Sequence, residues 1–539
     1  MVNLFAAVAV GVIVLLLYHY VAKKYQYFLT KPIPCIKPTF LLGIYDQVFF
    51  KKVKLVFGSK VLYNSFPDAK IIGYYTVMEP TYMVRDPEMI KKITIKDFDH
   101  FTDRSPVLPS AYGESTTEDS LFFNSLFSLR GQKWRDMRST LSPAFTGSRI
   151  RQMFELVSDR AISMMDFFHL EASSGRRKLE LEMKDTFSRF VSNAIATVAF
   201  GIEVDSFRDP ENEFYIKGKQ TQNVHTFKAI VLSFAIRLLP FLQKVVRVDL
   251  VDADLAEYFK KTILDNMEQR RARGIVRNDM VNMLMGAQTG ALKHEKDEQE
   301  AKEADGFATV EESNVGKSTH SRIWTENELV AQCFLFFFAA FDNISSILTF
   351  LSYELTVDQE IQKRLYEEIE QTEASLGGKP LTYDALQKMK FMDMVVSETL
   401  RKWPTATLTD RHSNEDYVFD DEAGIKFVIE KGNTLWIPIL AIHHDPKYYP
   451  CPERFDPERF SEENRSRITP GTYLPFGAGP RNCIGPRLAL MEIKMAMYYL
   501  LQDFRLEPSD RTQIPLQLSK SAFTLQPEKG VWLELTSRK

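Results

Sequence analysis

Cysteine is scarce in this chain. Four occur in 539 residues, at Cys35, Cys333, Cys451 and Cys483, and no two form a C-x-x-C pair. That spacing excludes a disulfide framework and a zinc ribbon, and it points to a reducing compartment for the bulk of the chain. An excess of charge is also lacking: 68 Lys and Arg against 71 Asp and Glu leave a formal charge of −3. The broad positive field of a nucleic-acid binder is therefore missing, and nucleic acid is excluded as a partner. No arginine precedes Arg85, which argues against a mitochondrial presequence. A basic n-region and a small-residue cleavage site, the marks of a cleaved signal peptide, are missing as well. No internal repeat is present.

Apolar residues, by contrast, are plentiful. At 45% hydrophobic and 12% aromatic the chain can build one very large core or two to three ordinary ones. Leu4 to Leu17 is an unbroken apolar or glycine run, and Tyr18 to Val21 extend it toward the ~20 residues of a bilayer-spanning helix. Lys23 and Lys24 follow at once, so the positive-inside rule places everything after them on the cytoplasmic side. Residues 1–22 are read as a membrane anchor, 23–45 as a proline-containing linker and 46–539 as the globular domain.

Along that domain, KIIGYYTV and TYMVR read as strands around a Glu79-Pro80 turn, and Asp86-Pro87-Glu88 opens a helix. Helical periodicity dominates from Arg130 to Arg401. KFVIE and TLWIPI around Lys431-Gly432, and SAFTLQ and VWLEL around Glu528 to Gly530, read as strand pairs. The expected class is mainly α with small β-sheets. Residues 288–322 are charged and poor in large apolar groups, which predicts a mobile surface loop between two helices. RLLPFLQKVV, residues 237–246, reads either as a membrane-dipping substrate entrance or as core. Thr325 to Glu328 has capping-box spacing and starts the helix that carries FFFAAFDNISS.

The chemistry concentrates in PFGAGPRNCIGPRLALMEIK, Pro475 to Lys494. Its glycines allow backbone amides close to the sulfur of Cys483, and an apolar-periodic helix follows through Leu488, Met491, Met495 and Tyr498. A cysteine just ahead of a helix N-terminus is expected to favour its thiolate. A phosphate loop would need Lys-Ser/Thr after the last glycine, and a dinucleotide fingerprint would need glycine at Asn482; neither condition is met. The segment fits F-x-x-G-x-R-x-C-x-G-x-R-x-A at Phe476, Gly479, Arg481, Cys483, Gly485, Arg487 and Ala489. In this it resembles the haem-thiolate loop of the cytochrome P-450 superfamily. Glu398-Thr-Leu-Arg401 and PERF at Pro457 to Phe460 are similar to two further signatures of that family, in the expected order.

The resemblance implies the cytochrome P-450 fold behind an N-terminal transmembrane helix, and haem b (iron protoporphyrin IX) with Cys483 as axial iron ligand. It implies a structural network of Glu398, Arg401 and Arg459. Haem contacts would come from Arg104, Trp134, Arg138, Arg411, Phe476 and Arg481, the arginines serving the propionates. His443 and His444 sit in an H-x-D-P segment and are not read as ligands. In the family's A-G-x-D/E-T stretch, Ala340 here replaces the glycine, Asp342 keeps the acid and Asn343 replaces the threonine. Asp342 and Asn343 are the expected proton-handling pair, Asn343 ordering a water; the other reading has Asn343 capping a helix carbonyl without a role in chemistry. Pocket positions would be Phe122, Phe123, Phe336, Phe337, Ala340, Ala406, Thr409 and Phe523.

The implied activity is a membrane-bound monooxygenase inserting one oxygen atom of dioxygen into lipophilic molecules, xenobiotics in particular. Electrons would come from an NADPH-dependent flavoprotein reductase, with cytochrome b5 as a second donor, at the endoplasmic reticulum membrane. Lys133 and Arg135, beside Trp134, are candidate contacts for an acidic partner. A haem-thiolate isomerase or dehydratase and a non-catalytic haem sensor are the rival readings.

Overall fold

The computed structural model describes residues 2–38, 55–105, 120–173, 178–221, 235–236, 249–277, 279–288, 323–421, 424–519 and 524–538. Phe523, the 237–246 segment and the expected loop beyond Gln288 lie outside the described residues. The helices used below are α1 (Val2–Lys24), α2 (Pro87–Lys91), α3 (Gly131–Leu141), α4 (Gly147–Ser173), α5 (Met183–Ile195), α6 (Glu213–Thr221), α7 (Ala253–Arg273), α8 (Glu326–Val357), α9 (Gln359–Leu376), α10 (Lys390–Lys402) and α11 (Pro486–Asp503). The strands are β1 (Ile71–Thr76), β2 (Glu79–Val84), β3 (Lys178–Glu182), β4 (Thr409–His412), β5 (Tyr417–Asp420), β6 (Lys426–Ile429), β7 (Thr434–Ile437), β8 (Phe504–Pro508) and β9 (Trp532–Ser537). The mainly helical class with small sheets is the observed one.

The start signals act as their chemistry requires. The Asp86 carboxylate accepts from Met89 N with Pro87 in the first turn of α2, and Thr325 and Glu328 form a reciprocal capping box on α8. Among the described residues, α8 is the helix long and apolar enough to cross a membrane, but 61% of its apolar window is buried inside the protein. It is the central core helix, packed on α5, α7 and α11.

Strand pairing departs from local expectation in three places. The first turn falls at Val77-Met78, and Glu79 and Pro80 already belong to β2, paired with Thr76 and Tyr75; proline is tolerated there because it opens the strand. KFVIE and TLWIPI are not a pair: β6 pairs with β5, while β7 lies between β2 and β4 in the sheet β1-β2-β7-β4. The VWLEL strand pairs with β8 and β3. Burial alternates along β5, β6, β7 and β9 while β1 is buried throughout, but each strand's partner is chosen by distant apolar faces.

Within the stretch read as a linker, Tyr25 to Ile36 lies against the four-stranded sheet. Cys35 bridges to Gly73, and the Phe28 ring comes so near that a Cβ on Gly73 would meet it at 2.5 Å. Only glycine fits there.

Candidate functional site

Cys483 sits in a loop held by Cys483 N donating to Phe476 O at 2.9 Å and Asn482 N donating to Gly479 O at 2.9 Å. Gly479 has φ of +70°, and a Cβ there would lie 1.8 Å from the Thr94 carbonyl oxygen, so the tight approach requires glycine. Gly485 caps α11, Pro486 fills its first turn, and Leu488, Met491, Met495 and Tyr498 are all buried. The thiol is accessible although Arg481 and Asn482 beside it are buried. Burial nevertheless pushes its pKa up, only partly offset by a Gly485 backbone hydrogen bond and by Arg138 and Arg104. Cys483 is thus exposed while the two residues before it are buried, as for a residue lining a recess. Desolvation here works against the helix terminus, and coordination to a metal would remove the proton.

The opposite wall is α8. Ala339 and Asn343 are exposed in a helix otherwise largely buried, and Ala340 is half-buried. Phe336, on the same helical side, meets Phe145 edge-on with centroids 5.2 Å apart. Phe145 in turn lies against Gly485, within 3.1 Å of an ideal Cβ. The cysteine loop and the open face of α8 thus bound one interior space.

Phe337 is placed elsewhere. Two residues from Ala339 on a helix is about 200° of rotation, and its ring lies among Phe200, Phe214, Phe259 and Phe341, fully buried. As a pocket position it is corrected to core. Phe122 packs on Phe123 and on Phe338, an aromatic the sequence reading missed. Gln332 fixes that loop to α8 by accepting from Leu126 N at 2.7 Å and donating to Asn124 O at 2.8 Å. Thr409 is buried on β4, its hydroxyl accepting from Arg104 at 2.9 Å. Ala406 is exposed just before that strand.

The expected basic residues converge beside the cysteine loop. Arg104 pairs with Asp410 at 3.2 Å. Arg411 donates to Ala478 O at 2.9 Å, while its buried Nε has no partner. Arg481 stacks on Trp134, 3.9 Å from the ring centroid, and donates to Thr102 O and Leu129 O. Arg138 donates to the backbone and side-chain oxygens of Asn482, and Arg130 donates to Arg104 O. Asp103, not singled out from sequence, ties the cluster together by accepting from Gly131 N and Arg481. Burial, then Arg104, pushes the Arg411 pKa down to about 9; burial, then Arg104, holds Arg481 well below its usual value. Like charges buried together with an orphaned guanidinium nitrogen are suited to an anionic group, and the two propionates of a haem are such anions. The accessible sulfur, the enclosed space and the basic rim together fit haem b.

Behind the loop, Glu398 and Arg401 are fully buried and joined by two bonds of 2.7 and 2.8 Å. Arg459 approaches Glu398 at 3.5 Å, and Asp456 N donates to the same carboxylate. His443 is buried and held neutral, burial lowering its pKa to about 3. It joins the network to the cysteine segment: Nε2 accepts from Leu474 N at 2.9 Å, and Nδ1 lies 3.1 Å from Arg401 O. The H-x-D-P segment marks His443 in the sequence, but not the two partners it joins.

The Asp342 carboxylate pairs with Lys184 of α5 at 2.8 Å, and Asn343 Nδ2 donates to Ala339 O at 2.7 Å, the capping bond of the second reading. Lys133 and Arg135 are engaged within the chain, with Glu328 at 2.6 Å and Asp99 at 2.7 Å.

Comparison with known proteins agrees with this geometry. Residues 63–533 match the cytochrome P450 family profile. The chain is 41% identical to probable cytochrome P450 9f2 of Drosophila melanogaster, covering 97% of both chains. It is 39% identical to cytochrome P450 9e2 of Blattella germanica, over 98% of this chain and 97% of the relative. With cytochrome P450 6k1 of the same cockroach the identity is 32%, over 98% and 96%. A profile spanning most of the chain, relatives aligned nearly end to end and a site shaped for haem b lead to one assignment: the chain belongs to the cytochrome P450 family of haem monooxygenases.

Proposed function

We propose that this chain is an endoplasmic-reticulum monooxygenase of lipophilic compounds, chiefly xenobiotics, with residues 1–22 as anchor, 23–45 as linker and 46–539 as the catalytic domain on the cytoplasmic side. The observation that carries the reading is the accessible Cys483 sulfur inside the protein, between a basic rim and the open face of α8. Bound haem, with a thiolate ligand, supplies the activation of dioxygen that lets an unactivated C–H bond be oxidised.

The protein's own residues do the rest. Cys483 would supply the sulfur that binds the haem iron, and Arg104, Trp134, Arg138, Arg411 and Arg481 would hold the haem carboxylates. Phe122, Phe123, Phe336 and Ala340 present an apolar wall to substrate, with Phe338 added, and apolar walls select lipophilic ligands and exclude water. Asp342 handles the proton and Asn343 offers its amide oxygen to a bridging water. The side chains of Phe5, Val8, Val12, Leu15 and Leu16 on α1 are exposed, which suits a helix whose apolar surface is covered by lipid. Electrons come from an NADPH-dependent flavoprotein reductase in the same membrane, with cytochrome b5 as accessory donor.

The test is a titration of the reconstituted enzyme with a panel of lipophilic compounds, following the absorption shift on displacement of the haem water, and then NADPH-supported turnover of those that bind. Binding followed by NADPH-dependent oxygenation supports the reading. Turnover without NADPH consumption would replace it with the isomerase class.

A further inference from the structure

Gln332 is fully buried in an otherwise apolar stretch of α8, Leu329 to Phe337, where a carboxamide is costly to desolvate unless its polar atoms find partners. They find three. Nε2 donates to Glu328 O at 2.8 Å, one turn back on the same helix, and to Asn124 O at 2.8 Å, while Oε1 accepts from Leu126 N at 2.7 Å. The bond to Glu328 fixes the side chain, and the other two leave the helix to grip the two peptide groups that flank Ser125. Leucine or methionine would fill the same volume without those bonds. Core packing therefore does not explain the glutamine.

Ser125 is the hub of the segment so held. Its N–H and its hydroxyl both donate to Phe122 O, at 3.2 and 2.6 Å, and its carbonyl accepts from Ser128 N and Leu129 N at 3.0 Å each. Moving Ser125 therefore moves Phe122, whose ring meets Phe338 of α8 edge-on with centroids 6.4 Å apart. The far end of the segment has a separate hold, since Arg481 of the cysteine loop donates to Leu129 O at 2.8 Å. Along α8, Gln332 precedes Ala339 by seven residues, about 20° of net rotation and about 10 Å of rise, so it stands on the side of the helix that carries the open face. The carboxamide thus ties Phe122 to the same strip of α8 as Phe336, Ala339 and Asn343.

We propose that Gln332 is a positioning residue for the substrate wall: by bonding the backbone on both sides of Ser125 it seats Phe122 against α8 and so makes the site selective for compact aromatic ligands. A seated ring keeps its contacts with the ligand, whereas a loose one loses part of them and must be ordered on binding. Gln332 does this without touching the ligand. The inference rests on the reading of Phe122 as part of the apolar wall.

The experiment uses the full-length haem-loaded enzyme as wild type, Gln332→Met, Phe122→Ala and the Gln332→Met/Phe122→Ala double variant. Each is titrated with imidazole, which is too small to meet the wall, and with an aryl probe, whichever of 4-phenylimidazole and 4-(biphenyl-4-yl)imidazole the wild type binds more tightly. Kd is read from the haem absorption shift, and backbone hydrogen exchange of residues 121–126 is compared with that of 127–129 in the ligand-free enzymes. Gln332→Met is expected to raise Kd for the aryl probe about 5- to 20-fold and to leave Kd for imidazole within about 2-fold. Phe122→Ala should do the same, and adding Gln332→Met to it should cost no more than about 2-fold further. Exchange in Gln332→Met should rise at least about 3-fold over 121–126 but not over 127–129, which Arg481 still holds. If Gln332→Met yields no haem-loaded protein, Gln332→Asn, whose amide falls one methylene short, takes its place under the same criteria. Aryl affinity no lower than wild type in Gln332→Met, alongside a loss in Phe122→Ala, overturns the positioning role alone. So do an equal loss in both backgrounds, an equal loss for imidazole, and exchange that is unchanged or rises alike in both stretches. Aryl affinity no lower than wild type in Phe122→Ala overturns the reading of Phe122 as wall and this inference with it.

Discussion

Glu492, on the helix that follows the cysteine loop, is fully buried, and neither carboxylate oxygen has a hydrogen-bond partner. Burial alone pushes its pKa from 4.5 to about 8. The folded state therefore holds this proton more tightly than the unfolded chain. Its contribution is complete below pH 4.5, and folding stability falls as pH rises toward 8. Within that window each pH unit removes about 1.4 kcal/mol, so about 3 kcal/mol is lost between pH 5.5 and 7.5 from this one group. Glu492→Gln keeps the shape and cannot ionise, and its amide is buried much as the neutral acid is. The variant should gain on the wild type steadily from pH 5.5 to 7.5, and the gap should stop widening above about pH 8. Melting curves of both haem-loaded proteins at half-unit pH steps measure this directly. Parallel pH profiles, or a Gln variant that loses ground as pH rises, would show that Glu492 is ionised and compensated in the folded protein.

Other consequences follow from the site. Cys483→Ala should abolish the thiolate-type carbon monoxide difference spectrum, while alanine at Cys35, Cys333 or Cys451 should leave it intact; a retained spectrum in Cys483→Ala would sink the ligand assignment. Arg401→Met strands the buried Glu398 carboxylate with Arg459 3.5 Å away, a loss on the order of 3–5 kcal/mol, read as a fall in recovered haem-loaded protein; unchanged recovery and melting would show the network to be dispensable. Asn343→Thr should raise product formed per NADPH and lower peroxide, because a hydroxyl can both accept and donate a proton; an unchanged ratio would leave Asn343 as the cap of Ala339 alone. Deleting residues 1–20 should leave haem binding intact and weaken membrane attachment and reductase-supported turnover; failure of the truncated chain to bind haem would move the domain boundary.

What sequence could reveal depended on range. The cysteine loop was legible because its constraint is local: Gly479 must fit against the Thr94 carbonyl, and Gly485 and Pro486 must start a helix at once. The capping box on α8 and the Asp86 cap on α2 were legible for the same reason. Strand partners were not, since KFVIE and TLWIPI look like neighbours in sequence but bury their faces in different sheets. Phe336 and Phe337 are adjacent letters of one apolar run; only the helix decides that the first shares the side of Ala339 while the second joins the core. Asp103 carries no local mark, and the H-x-D-P segment marks His443 without revealing its partners, because each works by joining segments far apart in the chain.

The same distinction bears on the departure from the family pattern on α8. Read locally, an acid followed by asparagine instead of threonine is a damaged motif. In three dimensions the acid is embedded in a larger set, with Lys184 held by Asp342, Ser345 and Ser346, while Asn343 spends its N–H on the helix. A threonine at 343 could give its hydroxyl to the same carbonyl and still accept from water, so the substitution changes which atom faces the open side more than it changes the helix bond. On the proposed role of Asp342 as the proton-handling acid, proton supply then depends more heavily on that carboxylate. If Lys184→Met, which removes the ion pair with Asp342, lowers product per NADPH, restoring threonine at 343 should relieve part of that loss. If product per NADPH in the Lys184→Met/Asn343→Thr double variant is no higher than in Lys184→Met alone, the two residues do not act on the same proton.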